Sequence, residues 1–348
     1  MQILENVPLA PLTTLQVGGP ARYFVEAANA ADVRIAADWA RSRQLPLLVL
    51  GGGSNLVVAD SGFRGLVVKV SLRGVELRRE KERAIFEAGA GECWDELVAR
   101  TVAADCAGLE CLSGIPGTVG GTPVQNVGAY GQEVADTIAE VQALDLRDNQ
   151  LRTLGKEACG FGYRSSIFNS SERGRFIILR VTYALEPGGA PRIEYRDVKD
   201  YFAARGSESR ATLAGVRQAV REIRHAKAML LVPGDEDARS AGSFFKNPVL
   251  DPAGYDRLLR ATGGELPGYP APGQKYKVPA AWLVEHAGFC KGYARGSVGL
   301  SRKHALAIVN RGGATAADIV ALQNDIQAAV RHRFGVELAP EPVFVGFD

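Results

Sequence analysis

Residues 113–131, SGIPGTVGGTPVQNVGAYG, place six glycines and two prolines in 19 positions. A connection of that length inside a compact domain is functional or disordered. Ile115, Val119, Val124, Val127 and Tyr130 supply apolar anchors, which argues for order. Glycines let the backbone approach a large flat ligand, while main-chain amides and Asn126 offer it hydrogen bonds. A second such segment, GGGSN at 51–55, stands between two apolar runs. It lacks the Lys-Ser/Thr of a P-loop and the GxGxxG that opens a helix, so neither of those phosphate sites fits. Consecutive glycines can still aim several N–H groups at one anion. Alone, GGGSN reads equally well as a tight turn. Together the two loops suit a dinucleotide.

The bulk properties narrow the class. A chain of 348 residues exceeds what one core usually serves, so two or three domains are expected. Lysine plus arginine exceed aspartate plus glutamate only to +2, with no basic block, which gives no support to a nucleic-acid binder. The densest basic run, LRREKER at 77–83, mixes signs and reads as a solvated hairpin. No apolar run approaches a membrane span, and the N-terminal residues lack the basic start and apolar core of a signal peptide. Five cysteines (93, 106, 111, 159 and 290) show no metal spacing, and with four scattered histidines no metal is expected. The expectation is a cytoplasmic enzyme with free thiols.

Periodicity gives the elements. ARYFVEAAN, LPLLVL and LVVAD read as strands around a helix at AADVRIAADWARSRQ, a β-α-β-β pattern that the further strand GLVVKV completes into a compact unit. GVELRRE and RAIFEAGAG form a hairpin, CWDELVARTVAADCAG a helix ending near Gly108, and TIAEVQALDL, QLRTLG and RFIILRVTYAL antiparallel strands. Helices are expected at ATLAGVRQAVREIRHAK, AGYDRLLRAT, VPAAWLVEHAG and AADIVALQNDIQAAVRHRF. In the last of these Ile319, Leu322, Ile326, Val330 and Phe334 share one face. EPVFVGF at the end reads as a strand that needs a sheet to join.

IPGTVGGTPVQNVGAYG resembles the flavin-binding signature of the UDP-N-acetylenolpyruvoylglucosamine reductase (MurB) family. GGGSNLVVAD resembles the family's pyrophosphate loop and GSFFKNP its C-terminal motif, and the likeness runs from LTTLQVGGPA to APEPVFVG. The resemblance implies an α+β chain with a two-part FAD-binding region of the vanillyl-alcohol-oxidase/PCMH type and a C-terminal α/β substrate-binding domain. The expected divisions are 1–70, to which a strand at about 340–348 returns, 71–218, and 219–339. Non-covalent FAD is expected on Gly51, Gly52, Gly53, Ser54 and Asn55, and on Ile115, Pro116, Gly117, Val119, Gly120, Asn126, Gly128, Ala129 and Tyr130. NADPH is the implied co-substrate. The implied reaction reduces UDP-N-acetylglucosamine enolpyruvate to UDP-N-acetylmuramate for peptidoglycan synthesis, with hydride passing from NADPH to flavin N5 and then to the vinyl carbon. A monomer with small-molecule partners only is expected.

Hydride addition to an enol ether that bears a carboxylate spreads negative charge onto that carboxylate, so cations or acidic protons belong beside it. The resemblance gives this place to Arg164, whose planar fork binds a carboxylate, and to Glu341, which helps when protonated and so is expected to have a raised pKa in the complex. Read without the family, they are a surface-loop arginine and an exposed glutamate. Ser243 is the implied proton donor: its hydroxyl is a weak acid that matches the strongly basic carbon next to an enediolate. Lys246 or water can reprotonate it, and the neighbouring phenylalanines exclude solvent. On its own, Ser243 is a structural hydroxyl. Tyr195, Lys227, Asn247 and Tyr163 are implied substrate contacts, with Tyr195 on the loop that marks the larger, type I members; a tyrosine packed on the core is its ordinary alternative. Two other classes remain open, an FAD-dependent sugar or alcohol oxidase and a non-enzymatic flavin binder. The first would tether flavin through a histidine or cysteine, and neither glycine-rich loop contains one.

Overall fold

Of the apolar runs in the first 70 residues, those at 20–27, 47–50 and 63–70 share one sheet and pack with one helix, whereas LVVAD, expected in the same unit, leaves it to pair with a strand from near the end of the chain. That helix, Ala30–Ser42, begins at Asn29, whose side chain accepts from the Asp32 N–H at 2.9 Å, and it buries Val33, Ala36, Ala37 and Ala40 at helical spacing. The computed structural model describes residues 1–206 and 211–347. They form two compact units, one of Met1–Val7, Ala21–Gly53 and Arg64–Leu231, the other of Pro8–Pro20, Ser54–Phe63 and Val232–Asp348.

In the first unit a four-stranded sheet runs in the order Leu4–Pro8, Pro20–Ala27, Phe63–Val70, Leu47–Leu50. Its last two strands are parallel, with Leu47 opposite Leu66. A second sheet is antiparallel, in the order Gln150–Gly155, Ile138–Asp145, Phe176–Pro187, Arg83–Gly89, Val75–Glu80. Ile177, Leu179, Val181, Tyr183 and Leu185 alternate along its long strand and are buried. They share a core with Trp94, Leu97 and Val98 of the helix Trp94–Ala103. That helix stops short of the expected Gly108. Asp105 turns to φ 53°, and Cys106–Ala107 leaves as a strand pairing with the end of Phe176–Pro187. A helix the sequence reading did not include, Arg196–Ala203, packs Val198 and Phe202 against Val216, Ala219 and Val220 of Leu213–Ala226.

The second unit is organised by the helix Ala316–Phe334. Thr315 and Asp318 form a capping box at its start, and Gly335, at φ 66°, ends it in the left-handed conformation. Ile319, Leu322, Ile326 and Val330 are fully buried with Leu283, Val298, Leu300 and Ile308, each worth about 1.5–3 kcal/mol of apolar burial. Phe334, expected on the same face, is half-buried against Trp282 at a ring distance of 5.7 Å. The strand Val343–Val345 lies parallel to Leu56–Val58. All five cysteines are free thiols. Among the described residues no helix is long and apolar enough to cross a membrane, and no cluster of histidine, cysteine and acidic groups could hold a metal.

Candidate active site

The two glycine-rich loops meet inside the first unit. A Cβ at Gly52 would lie 2.6 Å from the Gly117 Cα, and one at Gly51 would lie 2.7 Å from the Thr118 hydroxyl oxygen. The backbones are in van der Waals contact, which glycine alone permits on the Gly52 side. At Gly121, in contrast, an added Cβ would meet nothing within 4 Å. A cradle of touching backbone with an open side is the arrangement a large planar dinucleotide needs, so these residues fit FAD.

The longer loop is pinned from within. Glu92 and Ala90 carbonyls accept from Val119 and Gly120 N–H at 2.9 Å each, and the Gly117 carbonyl accepts from Trp94 N–H at 3.1 Å. Asp95, on the first turn of Trp94–Ala103, accepts from Gly114 N–H at 2.6 Å and from both ends of the Arg217 guanidinium at 2.6 and 3.0 Å; Arg221 also pairs with it. Burial pushes the Asp95 carboxyl up, but the hydrogen bonds from Arg217 and Gly114 outweigh it and hold the group below its usual value. Asn126 is buried at φ 44°. Its amide nitrogen donates to Glu133 at 2.7 Å and to the Gly162 carbonyl at 3.0 Å, while its oxygen accepts from Ala135 N–H at 3.1 Å. The side chain therefore braces the loop. Tyr130, also left-handed at φ 49°, is 8% exposed, and burial pushes its phenol up to about 12. Its ring meets that of Tyr195 edge-on at 5.4 Å.

Arg164 is the second residue of the two-residue turn closed by Gly162 and Ser165, which exchange both backbone hydrogen bonds at 2.9 and 3.2 Å. Its φ of 51° is costly for a residue with a Cβ, by roughly 1–2 kcal/mol, and such strain collects at functional sites. The guanidinium donates to the Gly128 carbonyl at 2.7 Å and sits 5.3 Å from the centre of the half-exposed Tyr163 ring. Gly128 makes the room: a Cβ there would be 3.1 Å from Arg164 Nη1. Tyr195, exposed, is the residue just before the helix Arg196–Ala203. Lys227, the C-cap of Leu213–Ala226, forms an ion pair with Asp197.

In the second unit, backbone pairing brings two candidates together. Glu341 N–H donates to the Phe244 carbonyl at 2.9 Å, Lys246 N–H donates to the Ala339 carbonyl at 2.9 Å, and Phe245 bridges Pro340. Half-buried Ser243 thus precedes the strand-like contact that fixes Glu341. Phe244 and Phe245 beside it are buried and meet at 5.6 Å. Asn55 lies on the far side of Glu341: its amide nitrogen donates to the Glu341 carbonyl at 3.3 Å, and its own carbonyl accepts from Val343 N–H at 2.9 Å. The Asn247 side-chain oxygen accepts from Ala280 N–H at 2.9 Å and so caps the helix Ala280–His286. Asp95 and Glu110, which hold these loops, were not among the residues singled out in the sequence. The available signal was an isolated acid among apolar neighbours, as in GLECLSG.

Residues 234–345 match the model of the UDP-N-acetylenolpyruvoylglucosamine reductase C-terminal domain, and residues 21–155 match that of an FAD binding domain. A UDP-N-acetylenolpyruvoylglucosamine reductase of Streptomyces avermitilis is 43% identical over 356 residues, covering 100% of this chain and 96% of the relative. The one from Saccharopolyspora erythraea is 46% identical, covering 97% and 94%. The crystal structure of UDP-N-acetylenolpyruvylglucosamine reductase from Thermus caldophilus matches with a TM-score of 0.66 at 27% identity, over 99% of each chain. These matches bear out the α+β reading and the flavin-binding class expected from the sequence.

Proposed function

The chain belongs to the UDP-N-acetylenolpyruvoylglucosamine reductase family, and from that premise we propose how its own residues divide the work. The enzyme reduces UDP-N-acetylglucosamine enolpyruvate with FAD, in the synthesis of peptidoglycan precursors. When bound, FAD supplies hydride acceptance and donation, and NADPH is the source of the electrons. The cradle formed by Gly51, Gly52, Gly117 and Gly120 holds the dinucleotide, and Asp95 and Asn126 keep that cradle in shape. Arg164 binds the substrate carboxylate and faces the negative charge that develops on it. Its seat under the Gly128 carbonyl limits the directions its fork can take.

Ser243 gives its proton to the carbon beside that carboxylate, and Glu341 acts on the same developing charge in its protonated form. The buried pair Phe244 and Phe245 keeps bulk water from that proton. Tyr195, Tyr163, Lys227, Lys246 and Asn247 contact the nucleotide sugar. Lys227 exchanges Asp197 for a phosphate oxygen on binding. In terms of role, residues 1–70 and 71–218 carry the flavin, with Tyr163, Arg164 and Tyr195 of the latter also reaching the substrate, and 219–339 serve the substrate, in a cytoplasmic monomer.

The observation that supports the catalytic reading is the Glu341 N–H bond to the carbonyl of Phe244, the residue after Ser243, beside the isolated bridge between Phe245 and Pro340. Flavin spectra of the purified protein test it. NADPH should bleach the visible absorption of the oxidised flavin, and the enolpyruvyl sugar nucleotide should restore it under anaerobic conditions. A flavin that NADPH cannot bleach, or that only oxygen restores, would count against the reading.

A further inference from the structure

One buried carboxylate holds both the end of the flavin loop and the start of the Tyr195 segment. Glu110 is 1% exposed. Its Oε1 accepts from Gln132 Nε2 at 2.8 Å and from Arg192 N–H at 3.0 Å, and its Oε2 accepts from Gly108 N–H at 2.8 Å. The Gln132 side-chain oxygen in turn accepts from Cys111 N–H at 2.8 Å, and the Cys111 thiol donates to the Arg192 carbonyl at 3.3 Å. Both backbone groups of Arg192 are therefore held. Gln132 lies two residues after Tyr130, and Tyr195 lies three residues after Arg192, so the two rings that meet edge-on at 5.4 Å are each led into place from this carboxylate. Ile193, between them, packs with Cys111, Tyr130 and Val198 in the same small core.

We propose that Glu110 is a positioning residue for substrate binding. By accepting from Gln132 and Arg192 with one oxygen, it fixes the reach of Tyr195 relative to the flavin loop. The inference rests on the reading of Tyr195 as a contact to the nucleotide sugar. A carboxylate suits the task because all its neighbours are N–H donors and it brings no competing donor. Glutamine has nearly the same shape but would turn an NH2 toward at least one of those donors, leaving it unmatched in a buried place. The Arg192 side chain keeps its own ties in such a variant, since its guanidinium pairs with Asp136 at 3.3 Å and Glu194 at 3.1 Å.

The test is Glu110→Gln in the FAD-loaded enzyme, read by amide hydrogen exchange and by steady-state kinetics. Exchange across residues 190–196 should accelerate by about tenfold, while the strands Arg83–Gly89 and Phe176–Pro187 keep their protection, which shows that the variant folds. The KM for the enolpyruvyl sugar nucleotide should rise by about tenfold, with kcat within about twofold and flavin content unchanged. Unchanged exchange at 190–196 overturns the anchor itself. Faster exchange with an unmoved KM overturns the positioning role, and Tyr195→Phe measured alongside identifies the cause. If it too leaves KM unmoved, the substrate reading of Tyr195 has failed; if it raises KM, the failure belongs to Glu110.

Discussion

Gly128→Ala isolates the seat of Arg164 without touching the arginine. Gly128 has no left-handed φ, so alanine is compatible with its backbone and the conflict is one of space. The added methyl would lie 2.8 Å from Glu133 Cγ, 3.0 Å from the Gln132 carbonyl oxygen and 3.1 Å from Arg164 Nη1. The Gln132 carbonyl belongs to a short hairpin in which Glu133 pairs with Gly128, so it yields little. Glu133 and Arg164 must move. Overpacking of this kind costs roughly 1–3 kcal/mol, and losing a charge-assisted bond such as Arg164 to Gly128 O costs about 1.5–3 kcal/mol. A fall in stability of about 2–4 kcal/mol follows if the two overlap in part. A displacement of about 1 Å at an orienting arginine costs on the order of a hundredfold in rate. Anaerobic stopped-flow separates the consequences once flavin content has been matched. Reduction by NADPH should stay within a few-fold of the parent, while reoxidation by the enolpyruvyl substrate slows by about a hundredfold. Arg164→Lys, which keeps the charge and loses the planar fork, should slow the same half-reaction. Parent-like reoxidation in Gly128→Ala, with a lowered melting temperature, would refute the argument that Gly128 sets the position of Arg164.

Three further outcomes are expected. Ser243→Ala should leave flavin bleaching by NADPH nearly intact and slow reoxidation by about a thousandfold, within the range for loss of a general acid; equal losses in both halves would remove Ser243 from that role. Asn126→Ala should cost roughly 3 kcal/mol from three lost side-chain hydrogen bonds and a strained left-handed backbone. Asn126→Gly should recover about 1 kcal/mol of it by relieving the backbone alone, a difference readable in urea midpoints. Arg175 hydrogen bonds hold the Asp145 carboxyl at about 2, against an unfolded value near 3.9. Its stabilisation is therefore full above the unfolded pKa and is lost as pH falls from about 4 toward 2. Acid-unfolding curves of Asp145→Asn should be flatter in that window, and an unchanged slope would remove Asp145 from the acid response.

What could be read in advance follows the range of the interactions involved. Strands and long helices announce themselves through local periodicity, and Ile319, Leu322, Ile326 and Val330 take the buried face their spacing predicts. The close approach of the two glycine-rich loops was legible because backbone contact leaves a local trace, glycine. Arg196–Ala203 was missed because only Val198 and Phe202 mark its apolar face and a proline- and glycine-rich stretch precedes it. The side-chain bonds of Asn126 and the pairing of residues 244–246 with 339–341 depend on partners that local pattern does not name. Asp95 and Glu110 illustrate the limit most plainly. An acid is normally read as surface, and only the fold supplies the N–H donors that make its burial tolerable.

The interleaving of the two compact units has a consequence for synthesis. Leu56–Val58 emerges early from the ribosome, yet the strand beside it, Val343–Val345, emerges almost a whole chain later. Until then an apolar strand with an unpaired edge must wait, open to pairing with neighbouring nascent chains. The first unit, whose last segment ends at Leu231, can reach its own core while the ribosome is still adding the remainder. Cutting the gene at that residue would therefore not yield two independent halves. It would strand Pro8–Pro20 and Ser54–Phe63 on the wrong piece, and production of the enzyme depends on how long those segments stay out of trouble.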